Sequence, residues 1–122
     1  MKVKLLNIVN SKTVIEKMGE VSSYDGKTAY QVAKNIKEIA SELESFDKAR
    51  NAMVIKYGEE RDDGNIEVTK DNMEMFNKEI FELLDVDAEI NILLLNPEKI
   101  TGLSPFELIA IDWMLESEKE IE

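Results

Sequence analysis

A repeating apolar pattern between residues 27 and 57 is the strongest structural signal in the chain. Its apolar side chains recur at steps of three and four residues, which places them on one face of an α-helix. The positions that share this face are Ala29, Val32, Ile36, Ile39, Leu43, Phe46, Met53 and Tyr57. Neither Gly nor Pro interrupts the segment, and Gly58 follows it as a stop signal. The pattern predicts one helix over 27–57, about 45 Å long, with Thr28 and Gln31 as its capping box.

The N-terminal region predicts a strand, a short helix and a loop. Residues 2–9 alternate and then become apolar, which favours a strand. Asn10 and Ser11 are candidate caps of a short helix that buries Val14, Ile15 and Met18 and ends at Gly19. Residues 20–26 have the composition of a loop.

The segment that follows the long helix predicts a hairpin, a helix and a strand. Asp63-Gly64 favours a tight turn within 61–65, followed by a short strand from Ile66. Asp71 is the predicted cap of a helix whose apolar face is Met73, Phe76, Ile80, Leu83 and Leu84. Residues 85–95 then alternate between polar and apolar side chains, as a half-buried strand does.

A final helix is predicted from the clearest capping signal in the sequence. Ser104 and Glu107 form a capping box around Pro105 at the first helical position. We expect the helix to bury Phe106, Ile109, Ala110, Trp113, Leu108, Ile111 and Leu115. The charged tail at 117–122 is expected to fray.

These elements predict one α+β domain spanning residues 1–122. One long helix is its spine, and two or three further helices cover a small, mostly antiparallel sheet that pairs 2–9 with 88–95. The region at about 58–116 forms an acidic β/α half.

Composition removes most catalytic chemistries. The 122 residues include no Cys and no His, which excludes disulfides, thiolate zinc sites, a cysteine nucleophile and an imidazole base. The alternating acids after residue 84 resemble a calcium loop, but its sixth and twelfth positions hold Ile90 and Asn96 instead of Gly and Glu. We therefore expect no catalytic residues, no metal site and no cofactor.

Charge divides the chain into two unequal parts. Residues 1–57 carry ten basic and seven acidic residues, a net charge of +3, whereas 58–122 carry five basic and nineteen acidic residues, a net charge of −14. The total of −11 would repel phosphate, so we expect no direct binding to a nucleic-acid backbone. The asymmetry indicates an acidic face directed at a protein partner, or simply a surface that keeps the protein soluble.

The sequence also bounds where the protein acts. No apolar run approaches the roughly 20 residues of a membrane-spanning helix, and residues 1–10 lack the features of a signal peptide. We expect a cytosolic, soluble protein that does not contact the membrane.

Five residues are candidates for contact with a protein partner. Asp85, Asp87 and Glu89 share the wet face of the predicted strand, and Met75 lies off the apolar stripe of its helix. Arg50 interrupts the long apolar face, where it either extends its head into water or forms a buried pair with Asp47 or an acid of the last two helices. A site for an anionic ligand is a further alternative for Arg50.

Several segments together resemble a known family. They are the stretch at 28–37, then Phe46, Arg50, 56–58, 76–79, Leu83-Leu84, the acidic strand and the Ser-Pro-capped last helix. This combination resembles a family of small proteins encoded by phages and prophages of low-GC Gram-positive bacteria. The resemblance implies a phage accessory role and supplies no catalytic residues.

We therefore expect a protein without enzymatic activity that acts by binding a host or phage protein. Its most concrete form is an acidic inhibitor of a host defence or nucleic-acid-handling protein. The alternative is an accessory or chaperone of virion or tail assembly, with a homo-oligomer formed through the long helix. A carboxylate-based, metal-dependent enzyme is the remote alternative.

Overall fold

The long helix is the spine of an α+β fold, as predicted. The computed structural model describes residues 1–117, so residues 118–122 of the tail that we expected to fray lie outside the described residues. In chain order, the strands and helices are β1 (Lys2–Lys4), α1 (Leu5–Gly19), α2 (Gly26–Tyr57), β2 (Gly58–Glu60), β3 (Ile66–Val68), α3 (Met73–Leu84), β4 (Asp87–Glu89) and α4 (Pro105–Ala110). Short 3-10 turns lie at Lys70–Asn72, Pro97–Lys99 and Asp112–Met114.

The ends of α2 differ in detail from the prediction. The capping box at Thr28 and Gln31 was wrong, because Asp25 is the N-cap and its Oδ1 accepts a hydrogen bond of 2.7 Å from the Thr28 backbone N–H. Gly58 does end the helix, but in an extended conformation with φ of −102°. A Cβ at this position would lie 2.4 Å from the carbonyl oxygen of Val54, so close packing requires glycine here.

The buried face of α2 is rotated slightly from the predicted stripe. Its buried residues are Thr28, Val32, Asn35, Ile39 and Leu43. Ala29 is exposed, and two polar side chains take places that the apolar pattern did not assign. This face contacts α1 and the segment around Leu93, so the apolar seam is covered within the chain.

The predicted strand at 2–9 was wrong beyond residue 4, where α1 begins. The buried residues of α1 include Leu5, Ile8, Ile15 and Met18, whose spacing of three to seven residues is that of one helical face. The apolar side chains that suggested a strand therefore belong to the first turns of a helix. The end of α1 at Gly19 is confirmed.

The sheet that joins the two ends of the chain is confirmed, although it is short. β1 pairs with β4 in antiparallel register, with Val3 opposite Ala88. The strand predicted over 85–95 covers only 87–89, because Asp85 is the C-cap of α3 and Val86 is exposed.

The hairpin predicted at 61–65 is present. The Arg61 N–H donates to the Asn65 carbonyl at 2.7 Å, and the Gly64 N–H donates to the Arg61 carbonyl at 2.9 Å. Gly64 has φ of +85° in this turn, a conformation that favours glycine. The strands that it joins, β2 and β3, pair in antiparallel fashion. Asp71 does not cap α3, since the N-cap is Asn72 and its side chain makes no capping hydrogen bond.

The last helix confirms its predicted cap, and its predicted buried residues are partly correct, since Ile111 is buried as expected and two others are not. Both halves of the Ser104–Glu107 capping box are formed. Phe106 and Ile109, which we expected to be buried, are 85% and 70% exposed, whereas Ile111 is fully buried. The reason is that α4 ends at Ala110 and the chain continues as a 3-10 turn, so the helical period assumed for residues 105–115 does not hold.

Candidate protein-binding surfaces

The acidic strand β4 lies beside a basic strand, and its charges are partly compensated. Lys2 is opposite Glu89, and Lys4 is opposite Asp87. The N-terminal ammonium group contacts Glu89 Oε1 at 2.9 Å, and Lys4 forms an ion pair with Asp85. A hydrogen bond from the N-terminal ammonium lowers the pKa of Glu89, and a hydrogen bond to Asp85 raises the pKa of Lys4. Two of the three candidate acids are thus paired within the chain.

The other two candidates, Arg50 and Met75, are both exposed. Arg50 is exposed and has no ion-pair partner within residues 1–117. The alternative of a buried pair, with Asp47 or with an acid of the last two helices, was therefore wrong, and the alternative with the head in water agrees with this exposure. Met75 is 50% exposed, as predicted. It precedes Asp85 by ten residues of α3, about 15 Å along the helix axis, so the structure does not unite Met75 with the acidic strand.

A second acidic region carries more uncompensated charge. We call residues 58–75 the acidic hairpin; they comprise β2, β3, a 3-10 turn and the start of α3. They include seven acidic and two basic residues, a net charge of −5. Glu59 and Glu67 lie directly opposite each other across the two strands, an arrangement of like charges that destabilises a hairpin.

Most ion pairs of the described residues lie outside the acidic hairpin. Of the seven ion pairs among the described residues, five join the first 57 residues to the rest of the chain. The acidic hairpin contains one internal pair, between Arg61 Nε and Glu67 Oε2 at 3.1 Å, and no pair to another part of the described chain. In four of these five pairs a cation of the first 57 residues meets an acid of the later part, so folding compensates part of the charge asymmetry, and none of these pairs involves the acidic hairpin.

The acidic hairpin is held firmly at the end of α2. The Tyr57 hydroxyl donates a hydrogen bond of 2.6 Å to Glu79 Oε1 on α3, and Lys56 Nζ contacts the same oxygen at 2.9 Å. The hydrogen bond from Tyr57 is the largest cause of a lowered pKa at Glu79. Asn72 Nδ2 also donates to the Tyr57 carbonyl at 3.1 Å. These contacts join the ends of α2, the hairpin and α3.

An apolar groove between α1 and α4 is a second exposed surface. It has a volume of about 420 Å³ and includes Asn7, Asn10, Phe106, Ile109 and Trp113 in its lining. Exposed aromatic and aliphatic side chains of this kind are frequent at protein interfaces. The groove was not predicted from the sequence, because the prediction assumed one continuous helix over residues 105–115, whose periodicity placed Phe106 and Ile109 in the core. We call this surface the α1–α4 groove.

One charged pair fixes α4 against α1. Lys17 Nζ contacts Glu107 Oε1 at 2.9 Å, while the same carboxylate accepts a hydrogen bond of 2.9 Å from the Ser104 backbone N–H. The hydrogen bond from Ser104 and then the pair with Lys17 lower the pKa of Glu107. The orientation of the α1–α4 groove therefore depends on an ionised carboxylate.

The side chains described here offer charge and apolar surface for binding. Within residues 1–117, no group of three or more Asp, Glu, His or Cys side chains is arranged to hold a metal ion. Among the helices of the same part of the chain, none combines the length and apolar character needed to cross a bilayer. No protein-family model, curated protein or solved structure matches the chain.

Proposed function

We propose that this chain is a phage accessory protein without enzymatic activity, which acts in the host cytoplasm by binding a host protein. The partner is a defence or nucleic-acid-handling protein, and the acidic hairpin occupies its basic groove. The observation that carries this proposal is the charge of −5 on an element whose acids form no ion pair with a cation from elsewhere in the described chain. A basic groove evolved to hold phosphates attracts such a surface.

Apolar side chains within the acidic hairpin support a protein partner in particular. Ile66, Met73 and Met75 are 39%, 41% and 50% exposed among the carboxylates. Methionine adapts its shape to irregular partner surfaces, and an apolar centre with a charged rim is the usual anatomy of a protein interface. Met75 keeps the role that we predicted for it, whereas Asp85 and Glu89 are engaged by internal cations.

The test is a comparison of two variants that lose the same number of charges. The hairpin amide variant carries Glu59→Gln, Glu60→Gln, Asp62→Asn and Asp63→Asn. The scattered amide variant carries Glu16→Gln, Glu20→Gln, Asp47→Asn and Glu82→Gln, all exposed acids that form no ion pair in the described chain. Each variant and the wild type are used to capture proteins from host lysate at increasing salt.

We expect the wild type and the scattered amide variant to retain a basic, nucleic-acid-binding protein that salt releases. The hairpin amide variant should lose it. Nucleic acid added to the purified complex should displace the wild-type protein, because both occupy one groove. The proposal fails if both variants capture equally, if salt does not weaken capture, or if nucleic acid does not compete.

A role in virion or tail assembly is the second candidate, and the α1–α4 groove favours it. Phe106 and Ile109 form an exposed apolar surface that is suited to another phage protein rather than to a phosphate-binding groove. Of the apolar seam of α2, which we expected to mediate this assembly, Val32, Ile39 and Leu43 are buried within the chain. Co-purification of phage structural proteins with the wild type, and their loss with Phe106→Ser, would establish this candidate in place of the first.

A further inference from the structure

The outer face of α2 carries a basic surface near its N-terminal end. Lys27, Tyr30, Lys34 and Lys37 are spaced by three, four and three residues, which places them on one side of the helix. The half-buried Glu38, four residues after Lys34, shares this side, so the net charge of this side is +2. The three lysines and Tyr30 are all exposed, and Tyr30 is 61% exposed. None of the three lysines forms an ion pair within residues 1–117. We call these four residues the basic face.

Helix stability does not account for the basic face. The positive end of a helix dipole is at its N-terminus, where acidic side chains are favourable and lysines are not. The first turn of α2 contains no acidic residue, and its N-cap Asp25 is shared with Lys99. An exposed tyrosine among these lysines likewise contributes nothing to the core. The dipole argument concerns Lys27 alone, because the effect falls off within the first turn. Lys34 and Lys37 form no ion pair within residues 1–117, so their charges are available to an anionic surface.

The acidic hairpin provides a surface of opposite charge on the same molecule, but it lies too far away to reach the basic face. Twenty-one residues of helix separate Lys37 from Gly58, about 30 Å at 1.5 Å per residue. The Debye length is about 10 Å at 0.1 M salt, so the two charged ends act independently under ordinary conditions. Screening at this salt also weakens the repulsion expected between two molecules of net charge −11.

We propose that the acidic hairpin of one molecule docks on the basic face of a second molecule of this chain. Charge complementarity argues for this occupant, and the exposed methionines of the hairpin are suited to pack against Tyr30. Such a contact joins two different surfaces. It closes as a two-fold dimer where each hairpin binds the basic face of the other molecule, and it extends into open chains where the two contacts are made to different molecules.

This self-association uses the hairpin of the proposed function but does not depend on a host partner. Since one hairpin cannot occupy two surfaces, self-association and partner binding compete. The lysate experiment and the experiment below thus fail independently.

The test measures molar mass by sedimentation equilibrium over a range of protein concentrations. At about 0.1 M salt, the average mass of the wild type should rise above 13.9 kDa as concentration increases. Near 1 M salt, where the Debye length is about 3 Å, it should return to the monomer value. A basic-face variant with Lys34→Gln and Lys37→Gln, and the hairpin amide variant, should each remain monomeric alone.

A mixture of the two variants gives the most specific result. The basic-face variant keeps its acidic hairpin, and the hairpin amide variant keeps its basic face, so together they form one contact and cannot extend it. We expect a complex of two chains whose mass does not grow with concentration. Lys12→Gln with Lys78→Gln is the matched control, since it removes two exposed, unpaired lysines elsewhere and should associate as the wild type does.

Four outcomes would overturn the inference. They are a wild type that stays monomeric at every concentration, a basic-face variant that associates normally, a mixture that remains monomeric, and an association that Phe106→Ser abolishes. The last result would assign the contact to the α1–α4 groove. A monomeric wild type whose basic face binds a single-stranded oligonucleotide would assign that face to nucleic acid instead.

Discussion

The buried side-chain amide of Asn35 makes the two backbone hydrogen bonds that a neighbouring strand would make. Its Nδ2 donates to the Leu93 carbonyl and its Oδ1 accepts from the Leu93 N–H, both at 2.9 Å. The side chain thus pairs with both backbone groups of one residue, as a neighbouring strand would. This explains why the alternating pattern after residue 89 does not continue as a strand in the structure.

Replacing Asn35 by Ala should therefore be costly for stability. The substitution leaves the N–H and C=O of Leu93 without their partner and creates space in a fully buried site. We expect the free energy of unfolding in urea to fall by about 2–3 kcal/mol. Asn51→Ala, an exposed site on the same helix, should change it by no more than about 0.5 kcal/mol. Equal effects at both sites would show that the hydrogen bonds to Leu93 contribute little.

Gly58 is required because the surrounding atoms leave no room for a Cβ, and not because of its backbone conformation. A Cβ there would lie 2.5 Å from the Ile66 side chain and closer still to a backbone oxygen of α2, which cannot move without disturbing the helix. Gly58→Ala should lower the free energy of unfolding by about 2 kcal/mol or more. Gly26→Ala is the control, because no atom lies within 4 Å of its Cβ position, and it should be neutral or slightly stabilising. A neutral Gly58→Ala would mean that the hairpin shifts freely relative to α2.

At the scale of elements, the sequence predicted the helices and turns whose formation depends on local signals. The Ser104–Glu107 capping box, the Asp63-Gly64 turn and the long uninterrupted helix are encoded by neighbouring residues, and the structure contains all three. The prediction failed where an apolar run fits more than one period. Residues 5–9 fit a strand or a helix, and only their continuation through Ile15 to Met18 distinguishes the two.

The candidate surfaces were harder to predict because they depend on where elements end. Phe106 and Ile109 are exposed since α4 stops at Ala110, and no Gly or Pro near that position signals the stop. The pairing of β1 with β4 was predicted, but the compensation of Asp85 and Glu89 depends on the register, which places Lys4 beside Asp85 and the N-terminal ammonium group beside Glu89. Met75, whose exposure follows from the stripe of a single helix, was predicted correctly.

The attachment of α4 should depend on pH through Glu107. Its pKa in the folded protein lies below the ordinary value of 4.5, so its ionised form contributes stability that is fully present above about pH 4.5. That contribution disappears as the pH falls through the lower folded pKa. Glu107→Gln keeps a hydrogen-bond acceptor for Ser104 but loses the charge that pairs with Lys17.

We therefore expect the free energy of unfolding at pH 7 to be higher for the wild type than for Glu107→Gln. This difference should vanish as the pH is lowered toward 3. Urea unfolding at several pH values between 7 and 3 measures this difference. Glu82→Gln, which removes an exposed acid without an ion pair in the described chain, should show no such convergence. A difference for Glu107→Gln that stays constant with pH would indicate that its ionisation does not anchor α4.

At the scale of the whole molecule, the ion pairs and the net charge act in opposite directions. The seven ion pairs of the described residues are all at least partly exposed, and such pairs each contribute only about 0–1 kcal/mol. The net charge of −11 destabilises the compact state through repulsion among like charges. Both effects weaken with added salt, so the sign of the salt effect shows which one dominates.

We expect repulsion to dominate, with its centre in the acidic hairpin. Raising the salt from about 10 mM, where the Debye length is about 30 Å, to about 0.1 M, where it is about 10 Å, should therefore raise the Tm of the dilute monomer. The rise should be smaller in the hairpin amide variant than in the scattered amide variant, although both have lost four charges. The hairpin amide variant should also be the more stable of the two at low salt, because it no longer crowds seven acids into one hairpin. A Tm that falls with salt would show that the ion pairs outweigh the repulsion. Equal responses of the two variants would show that the hairpin charges impose no particular cost, and would remove one physical reason to regard them as retained for binding.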